Sequence, residues 1–264
     1  MANNYWINRT ERSAQAKRHT SDMETDYQRD IVACALQTKF FNNDKCNQEL
    51  LDAHTPTDHK TKITLECTDS VSAIFNHKDE GRVCVLNFAS FSNPGGMFLD
   101  GSSAQEESLC HESFLYNVLS RLYYWYEQNR TIKNRGLYQN RALYSPNIRF
   151  FHNGEETLSD VITCACPSWG AASKNGVTPE ENKNAVNSRV EFLLKTAAIN
   201  HPDVLILGAY GCGAFKQNPV EVATIMNEWV NGTFAHAFKH IVFAIPDETG
   251  ENYQAFKRII QWQE

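Results

Sequence analysis

The chain has 264 residues, of which 42% are hydrophobic and 21% are charged, proportions ordinary for a globular protein. A formal net charge of -6 argues against DNA or RNA as the main ligand, because contact with a phosphate backbone needs clustered Lys and Arg. No apolar run reaches the roughly 20 residues of a membrane span. The N-terminus lacks a signal-peptide pattern, and the eight cysteines form no disulfide or CxxC framework. The scattered cysteines favour a reducing compartment, cytoplasmic or in a eukaryote nuclear. We expect a protein that binds neither nucleic acid nor membrane, and we expect it to be a monomer.

The N-terminal quarter is predicted to lie beside the main domain. Residues 1–20 are polar and favour a loose arm. Apolar residues recur at near-helical spacing over residues 22–38, which predicts an amphipathic helix. Residues 42–61 are polar and predict a loop. We group residues 1–61 as an arm and helical extension packed on the domain, and residues 62–264 as the domain itself.

From residue 62 onward, short β-rich runs alternate with helix-like segments. The predicted strands cover residues 63–67, 83–89, 161–166, 204–209 and 241–245. The predicted helices cover residues 70–77, 105–128, 179–200, 219–229 and 252–262. This alternation requires crossover connections and predicts a mostly parallel sheet covered on both faces. Residues 129–160 are the least regular stretch, and we expect them to be a long excursion within one domain.

The first candidate site lies in residues 86–116. A buried strand ends at Ala89, a loop containing Gly95 and Gly96 follows, and a helix begins near Gln105. Ligands of open α/β sheets bind beyond the carboxyl ends of the strands. Glycines let the backbone approach a ligand, and loop amides with a helix start can hold an anion without Lys or Arg. The pattern therefore suits a phosphate ester.

Two carboxylates, Glu106 and Glu107, occupy the first turn of that helix. Neighbours on a helix point about 100° apart, so one can face a substrate while the other makes a different contact. The helix dipole lowers a carboxyl pKa at this end, whereas burial and a negative ligand raise it. Paired carboxylates suit acid–base catalysis, although the local pattern alone favours simple helix capping.

The second candidate site is VLILGAYGCGAFKQNPVE, at residues 204–221. A buried strand leads into a turn with Gly208, Gly211 and Gly213, and a helix begins near Pro219. The amides of such a turn can wrap a diphosphate. Neither a Walker P-loop nor an early Rossmann GxGxxG is present. Glycines placed for steric reasons in a strand-to-helix turn explain the local pattern equally well.

Together these segments resemble the microbial-type poly(ADP-ribose) glycohydrolase family. The family signature has three glycines, a short spacer and Gln-Glu-Glu. Here Gly95, Gly96 and Met97 precede FLDGSSA and then Gln-Glu-Glu at residues 105–107, so Met97 replaces the third glycine. LGAYGCGAF resembles the family's second phosphate-binding loop, and VITCACPSW and VFAIPDETGEN resemble further strands. The resemblance spans residues 62–264. It implies a three-layer α/β/α macrodomain with a mostly parallel mixed sheet and an N-terminal helical extension.

The resemblance also implies an activity and its residues. The activity is hydrolysis of the ribose–ribose O-glycosidic bond of poly(ADP-ribose) on modified proteins, releasing ADP-ribose with no metal and no cofactor. Glu107 is implied as the general acid, with Glu106 hydrogen-bonding the ribose hydroxyls. The implied substrate-binding residues are Asn87, Asn93, Gly95, Gly96, Met97, Gln105, Gly208, Ala209, Gly211, Cys212, Gly213, Ala214 and Phe215.

Met97 keeps two alternatives open. If its position needs a positive φ, Met is strained there, and its side chain can narrow the diphosphate channel. The chain would then hydrolyse single ADP-ribosyl groups on protein, or bind ADP-ribose without cleaving it. The intact carboxylate pair favours an enzyme.

Other patterns have structural interpretations. His236 and His240 have a metal-like i, i+4 spacing, but an exposed helix face explains them better because no third ligand is evident. Cys164 and Cys166 are expected to be buried small hydrophobes. In the aromatic run at residues 123–126, some side chains must face the core, and one could stack on adenine.

Overall fold

The computed structural model describes residues 8–43 and 60–262, so residues 1–7 and most of the predicted loop at 42–61 lie outside it. Its frame is a seven-stranded sheet. The strands are β1 (Lys39–Asn42), β2 (Lys62–Glu66), β3 (Val83–Phe88), β4 (Arg141–His152), β5 (Glu155–Cys164), β6 (Val204–Leu207) and β7 (His240–Ala244). Their order is β1-β4-β5-β3-β6-β7-β2. The β1–β4 and β4–β5 pairs are antiparallel and the others are parallel. The predicted mostly parallel mixed sheet is confirmed.

Helices cover both faces of the sheet. They are α1 (Arg9–Asp26), α2 (Gln28–Gln37), α3 (Ser70–Asn76), α4 (Gln105–His111), α5 (Leu115–Arg121), α6 (Tyr123–Thr131), α7 (Trp169–Ala172), α8 (Pro179–Ala198), α9 (Pro219–Asn231) and α10 (Glu251–Ile259). Alternate residues of β3 enter two cores: Cys84 and Leu86 pack with α8, α9 and α10, while Val83 and Val85 pack with α1 to α6. The period-2 alternation of a strand produces this division. The predicted three-layer α/β/α architecture is confirmed.

The expectation of a loose arm over residues 1–20 was wrong for residues 9–20, because α1 begins at Arg9. The single helix predicted over 22–38 is instead the end of α1 and the whole of α2, with a break at Tyr27. Within α1 only Ala16 is buried, so the helix lacks the apolar stripe by which sequence periodicity detects a helix. An Asn8–Glu11 capping box begins it.

Polar contacts hold α1 on the loop that precedes α4. The side chains of Arg9, Arg12 and Ser13 donate to three successive backbone carbonyls, at residues 99–101, over 2.6 to 2.9 Å. Gly101 has a φ of 76°, and a Cβ at this position would lie 2.1 Å from the carbonyl oxygen of Arg9. Only glycine therefore allows the two backbones to come this close. The N-terminal extension also supplies β1, the edge strand beside β4.

The helix predicted over 105–128 is three helices, α4, α5 and α6. The first break is at Ser113, which leaves the helix to form a β-bridge with Phe150. Its hydroxyl donates to the carbonyl of Leu109 and accepts the amide of Leu115. A serine that satisfies backbone groups in this way competes with the helix, and the pairing with β4 comes from a distant part of the chain.

Residues 129–160 are more regular than the predicted excursion, because they contain β4 and the start of β5. The β4–β5 register shifts between Ser145 and Ile148, where Asn147 has a φ of 56°. The Asp160 carboxylate accepts the amide of Asn147 at 2.9 Å and thereby stabilises the bulge. A bulge interrupts the alternation of a strand, which explains why the sequence pattern did not reveal β4.

Of the predictions made for single residues, some are confirmed and one was wrong. Cys164 and Cys166 are buried, as predicted. In the run at residues 123–126, the first two tyrosines are exposed and the last two residues are buried. The exposed helix face predicted for His236 and His240 was wrong, since His240 is buried at the start of β7. Among the described residues, no helix has the length and apolarity needed to cross a membrane.

Replacing Gly101 by Ala tests the docking of α1. Gly154, with a φ of 83° and nothing within 4 Å of an added Cβ, is the matched control. Gly154→Ala incurs only the left-handed backbone cost of about 1–2 kcal/mol. Gly101→Ala adds the clash with α1, and we expect it to lose about 1–3 kcal/mol more, measured by urea unfolding. Trypsin should also cleave α1 faster in that variant. Equal losses in the two variants would show that the approach of α1 to Gly101 contributes nothing.

Candidate active site

The two glycine-rich segments lie side by side at the carboxyl edge of the sheet. Strands β3 and β6 pair in parallel, so the loops that follow them leave the sheet at the same edge, where α/β proteins bind ligands. A cavity of about 340 Å³ lies there. Its walls come from the starts of α3 and α4 and from the loops after β6 and β7.

The predicted site residues fall into two groups around this cavity. Those that line it are Gln105, Ala209, Gly211, Gly213, Ala214 and Phe215. Asn87, Glu106 and Glu107 do not line it. They are buried beside it, where α4 meets the loop after β3. The structure therefore places a carboxylate pair next to a ligand-sized cavity and shields the pair from solvent.

Asn87 and Glu106 form one hydrogen-bonded unit at the end of β3. The Asn87 side-chain amide donates to Glu106 Oε1 at 3.1 Å and to Thr163 Oγ1 at 3.3 Å. The backbone amide of Ser90 donates to Glu106 Oε2 at 2.7 Å. Asn87 Oδ1 is buried and has no hydrogen-bond partner among the described residues. An unpaired buried acceptor is costly, so a ligand hydroxyl that reached this oxygen would be stabilised.

Glu107 is held at both carboxylate oxygens by backbone amides. The amide of Ala104, the residue before α4, donates to Oε2 at 3.1 Å, and that of Met97 donates to Oε1 at 3.0 Å. The first contact is ordinary helix capping. The second comes from the preceding loop and fixes the side chain toward Gly96, where an added Cβ would lie 2.6 Å from Glu107 Oε1 and 3.0 Å from Glu106 Oε2. Both carboxylates thus converge on the backbone of Gly96.

Gln105 fastens the start of α4 to β3. Its Oε1 accepts the amide of Phe88 at 2.8 Å, and its Nε2 donates to the carbonyl of Leu86 at 2.9 Å and to Ser70 Oγ at 3.0 Å. Although Gln105 lines the cavity, both ends of its amide are already engaged within the protein. Its contacts support a positioning role more than the direct substrate contact predicted for it.

The electrostatics of the pair centre on Glu106. Burial, reinforced by the neighbouring charge of Glu107, raises its pKa from 4.5 to about 8, although hydrogen bonds from Ser90, Asn87 and Gly95 act in the opposite direction. At neutral pH the pair therefore retains a proton on Glu106. Tyr126 is buried nearby, and its hydroxyl has no partner in the part of the chain that the structure describes.

The strain considered for Met97 is not present. Its φ is -112°, which any residue adopts, and its side chain is 46% exposed. The positive φ values of this turn fall on Gly95 and Gly96, at 64° and 62°. The glycine missing from the signature is therefore not one that the backbone requires here, and Met97 is absent from the cavity wall.

The loop after β6 has unused backbone amides in residues that line the cavity. Among the described residues, the N–H groups of Gly211, Gly213, Ala214 and Phe215 donate no hydrogen bond. Gly211, with a φ of 77°, is packed so closely that an added Cβ would lie 2.4 Å from Cys166 Sγ, whereas nothing lies within 4 Å of a Cβ at Gly213. Successive free amides of this kind make an anion-binding concavity.

Two glycines predicted to bind substrate have internal roles in packing. A Cβ at Gly208 would lie 2.7 Å from the carbonyl oxygen of Ala244, and one at Gly95 would lie 2.7 Å from the Tyr116 ring. Both therefore let neighbouring segments approach. Neither residue lines the cavity.

Asn93 and Cys212, also predicted to bind substrate, lie outside the cavity wall as well. Asn93 is exposed, and its Oδ1 accepts from Arg130 at 3.3 Å. Cys212 is partly buried, with its thiol 3.7 Å from the carbonyl of Tyr210.

An aromatic series connects the two loops. Phe91, after β3, stacks on Tyr138 with ring centroids 4.4 Å apart. Tyr138 in turn contacts Phe215, after β6, at 6.1 Å. Tyr138 comes from the segment between α6 and β4, which sequence patterns did not connect with the site. Ring contacts thus connect the two loops next to Phe215, which lines the cavity.

Sequence reasoning missed part of the cavity wall. The missed residues are Asp69, Ser70, Val71, Phe88, Ser103, Ala104, Ser108, Leu109, Cys166, Tyr210, Ala244, Ile245, Pro246 and Asn252. The one available signal was position, because Asp69 follows one predicted strand and Ile245 ends another, and the carboxyl ends of both strands must reach the same edge. Their side chains carry no catalytic pattern of their own.

Two glycine-rich loops at one edge of the sheet, with a buried carboxylate pair beside the cavity there, are arranged as in a macrodomain-type fold. The sequence matches the microbial-type PARG catalytic domain over residues 8–153, more than half of the chain. The chain therefore belongs to the microbial-type poly(ADP-ribose) glycohydrolase family. No curated protein sequence matches it.

Solved structures of bacterial poly(ADP-ribose) glycohydrolases are similar over nearly the whole chain. The Thermomonospora curvata enzyme bound to the inhibitor ADP-HPD is 27% identical, with a TM-score of 0.85, covering 95% of this chain and 99% of that one. A structure of the same enzyme without a named ligand is 26% identical, with a TM-score of 0.87 and the same coverage of both chains. The Deinococcus radiodurans enzyme in complex with ADP-ribose is 28% identical, with a TM-score of 0.77, covering 86% of this chain and 96% of that one.

The raised pKa of Glu106 predicts how stability depends on pH. Between pH about 5 and about 8 the folded chain keeps a proton that the unfolded chain has lost, so the contribution of Glu106 to stability falls as pH rises through this window. Glu106→Gln removes the titration. The stability of the wild type relative to this variant, from urea unfolding, should therefore decline from pH 5 to pH 8. A difference that stays constant over this pH range would contradict the raised pKa.

Proposed function

We propose that the chain is a poly(ADP-ribose) glycohydrolase that hydrolyses the ribose–ribose O-glycosidic bond and releases ADP-ribose. The observation that carries this proposal is the buried pair Glu106 and Glu107 beside a cavity of about 340 Å³ whose lining includes residues with free backbone amides. Membership of the family supports it. So do the solved relatives, whose structures hold ADP-ribose or ADP-HPD.

The cavity suits the separate parts of an ADP-ribosyl group. The diphosphate would accept hydrogen bonds from the amides of residues 213–215, which needs no Lys or Arg in this acidic protein. The adenine would occupy the part walled by Val71, Phe88, Ile245 and Pro246, whose apolar surfaces suit a flat base. The ribose that carries the bond to be cleaved would then lie toward Asn87 and the carboxylates.

Acid–base chemistry at the anomeric carbon would follow. In its protonated form, Glu107 would give its proton to the leaving ribose oxygen as the glycosidic bond breaks. The carboxylate so formed would then take a proton from the attacking water, which restores the protonated form. Glu106 would hydrogen-bond the ribose hydroxyls together with Asn87 Oδ1. The proton that Glu106 retains at neutral pH keeps the pair at a single negative charge when Glu107 is ionised. Both carboxylates are nearly solvent-free, so an opening of the loop at residues 93–97 must admit the ribose.

The polymer is favoured over the two alternatives. Met97 has no positive φ and does not line the cavity, which supports the polymer over a single ADP-ribosyl substrate or a non-catalytic reader. A reader would also have no use for two buried carboxylates, which are costly to place beside each other. We accordingly propose ADP-ribose polymer on modified proteins as the substrate, acted on in the cytoplasm by a monomer.

We retain the division into an extension at residues 1–61 and a catalytic domain at 62–264 as a proposal. The contacts of α1 with residues 99–101 support an extension that is packed on the domain. Those same residues lie between Met97 and Ala104, whose amides hold Glu107. The extension would therefore help to position the acid.

The first test is release of ADP-ribose from purified poly(ADP-ribose). We expect the wild type to release it and Glu107→Ala to lose roughly 10²- to 10⁴-fold in kcat, the usual contribution of general acid–base catalysis. Glu106→Gln should raise KM and lower kcat less. Glu112→Ala, which removes a carboxylate at the other end of α4, is the control and should remain active.

The outcomes separate the possible errors. If the wild type binds ADP-ribose but cleaves no polymer, a mono-ADP-ribosylated protein becomes the substrate to assay. If Glu107→Ala retains full turnover while Glu106→Gln loses it, the acid is Glu106, the carboxyl whose pKa is raised.

A second test addresses the diphosphate. Gly213 has room for a side chain on the cavity wall and needs no positive φ, so Gly213→Val should fold normally and project into the ligand's path. We expect about a tenfold or larger loss of ADP-ribose affinity by calorimetry, since one blocked charged hydrogen bond is worth roughly 1.5–3 kcal/mol. Gly213→Ala should lose less. Unchanged affinity in Gly213→Val, with an unchanged melting temperature, would place the diphosphate elsewhere.

A further inference from the structure

A cluster of two histidines and a glutamate lies away from the cavity. The first residues of helix α3 form part of the cavity wall, and the residue after its last turn, His77, is its C-cap. Glu80 follows in the next turn, and His240 is the first residue of β7. The strands at this side of the sheet are parallel, so the start of β7 is at the edge opposite to the glycine-rich loops. None of the three residues lines the cavity.

Both imidazoles direct the same ring atom at one carboxylate. His77 Nδ1 lies 2.7 Å from Glu80 Oε1, and His240 Nδ1 lies 2.9 Å from Glu80 Oε2. The ring centroids are 4.9 Å apart and the planes are nearly perpendicular. One ligand atom from each of the three residues can be chosen so that all lie within 4.8 Å of one another. Three potential metal ligands thus converge on one point.

The outer nitrogens of both rings are already occupied. His77 Nε2 contacts Glu66 Oε1 at 2.8 Å, and His240 Nε2 contacts Thr64 Oγ1 at 2.8 Å. Histidines that bind metals almost always use the second nitrogen in this way, which fixes the ring and the tautomer. Here the partners come from β2, the edge strand, so the sheet itself orients both rings.

We propose that His77, Glu80 and His240 bind a divalent transition-metal ion of the zinc type. Two imidazoles and a carboxylate are an established ligand set for Zn²⁺, with bonds of about 2.0–2.2 Å and tetrahedral geometry. In such a tetrahedron the ligand atoms are about 3.3–3.5 Å apart, so the present N–O contacts of 2.7 and 2.9 Å would open by about 0.4–0.8 Å. Water supplies the fourth ligand, because the Glu80 side chain is 47% exposed.

The charges around the cluster are compatible with a cation. Glu66 and Glu80 supply two carboxylates, opposed nearby by Lys62. These two carboxylates would balance the charge of a divalent ion.

An ion here would have a structural effect. It would tie the turn after α3 to β7 while its outer contacts hold β2. The edge strand of the sheet would thus be fastened to its neighbour by side chains as well as by backbone hydrogen bonds. Because the cluster is at the edge opposite to the carboxylate pair, this inference does not depend on the proposed hydrolase activity.

The test is metal binding by untagged, chelator-treated full-length protein. We expect calorimetry with ZnCl₂ to show one Zn²⁺ per chain, and CoCl₂ to give the visible absorption of a four-coordinate site. Glu80→Gln and His240→Gln should each weaken Zn²⁺ binding at least about tenfold. Because Glu80 is exposed, its variant should keep the fold, as judged by thermal unfolding in chelator.

Two control variants make the result specific. His152→Gln disrupts a comparable His–Glu pair, with Glu112, elsewhere in the molecule. Cys67→Ser removes an exposed thiol next to Glu66. Both should bind Zn²⁺ like the wild type, and Zn²⁺ should raise the melting temperature of these two and of the wild type but not of Glu80→Gln. Absence of Zn²⁺ and Co²⁺ binding in the wild type, or undiminished binding in Glu80→Gln, would overturn the proposal and leave a hydrogen-bonded ion-pair network.

Discussion

The attachment of Gln105 to β3 is the contact on which the rest of the site depends. A backbone amide and a carbonyl of the strand, at Phe88 and Leu86, are both satisfied by one side chain, so the first turn of α4 has a single position relative to the sheet. The next two side chains then diverge by the helical angle: Glu106 meets Asn87, and Glu107 meets the loop at Met97. A neutral amide suits this task because it has both a donor and an acceptor.

Burying two adjacent carboxylates is expensive, and the chain offsets much of this cost with backbone N–H groups. Donors to Glu106 come from the loop immediately after β3, and donors to Glu107 come from both ends of the segment between Met97 and Ala104. That segment is held from outside by α1. The remaining imbalance appears as the raised pKa of Glu106. The N-terminal extension is therefore connected to the chemistry of the site through the backbone it supports.

Helix α3 links the two ends of the sheet that carry polar side chains. Its first residues form part of the cavity wall, and its C-cap is His77. The carboxyl edge combines free amides with shielded carboxylates, whereas the opposite edge combines imidazoles with a half-exposed carboxylate. The first set suits an anionic ligand and the second a cation. The two environments lie at opposite edges of the sheet. This follows because the five neighbouring strands β5, β3, β6, β7 and β2 all run in the same direction.

The sequence by itself determined the parallel centre of the sheet, since buried strands are continuous apolar runs, and it located Gln105, Glu106 and Glu107 at a helix start. Tertiary structure alone decided the rest. Helix α1 is held by polar contacts and has no apolar stripe, β4 is broken by a bulge, and the helix predicted after Gln105 is interrupted by pairing with β4. His77 and His240 meet although they are far apart in sequence. Periodicity records only which face of an element is buried, whereas these features arise from contacts between distant segments.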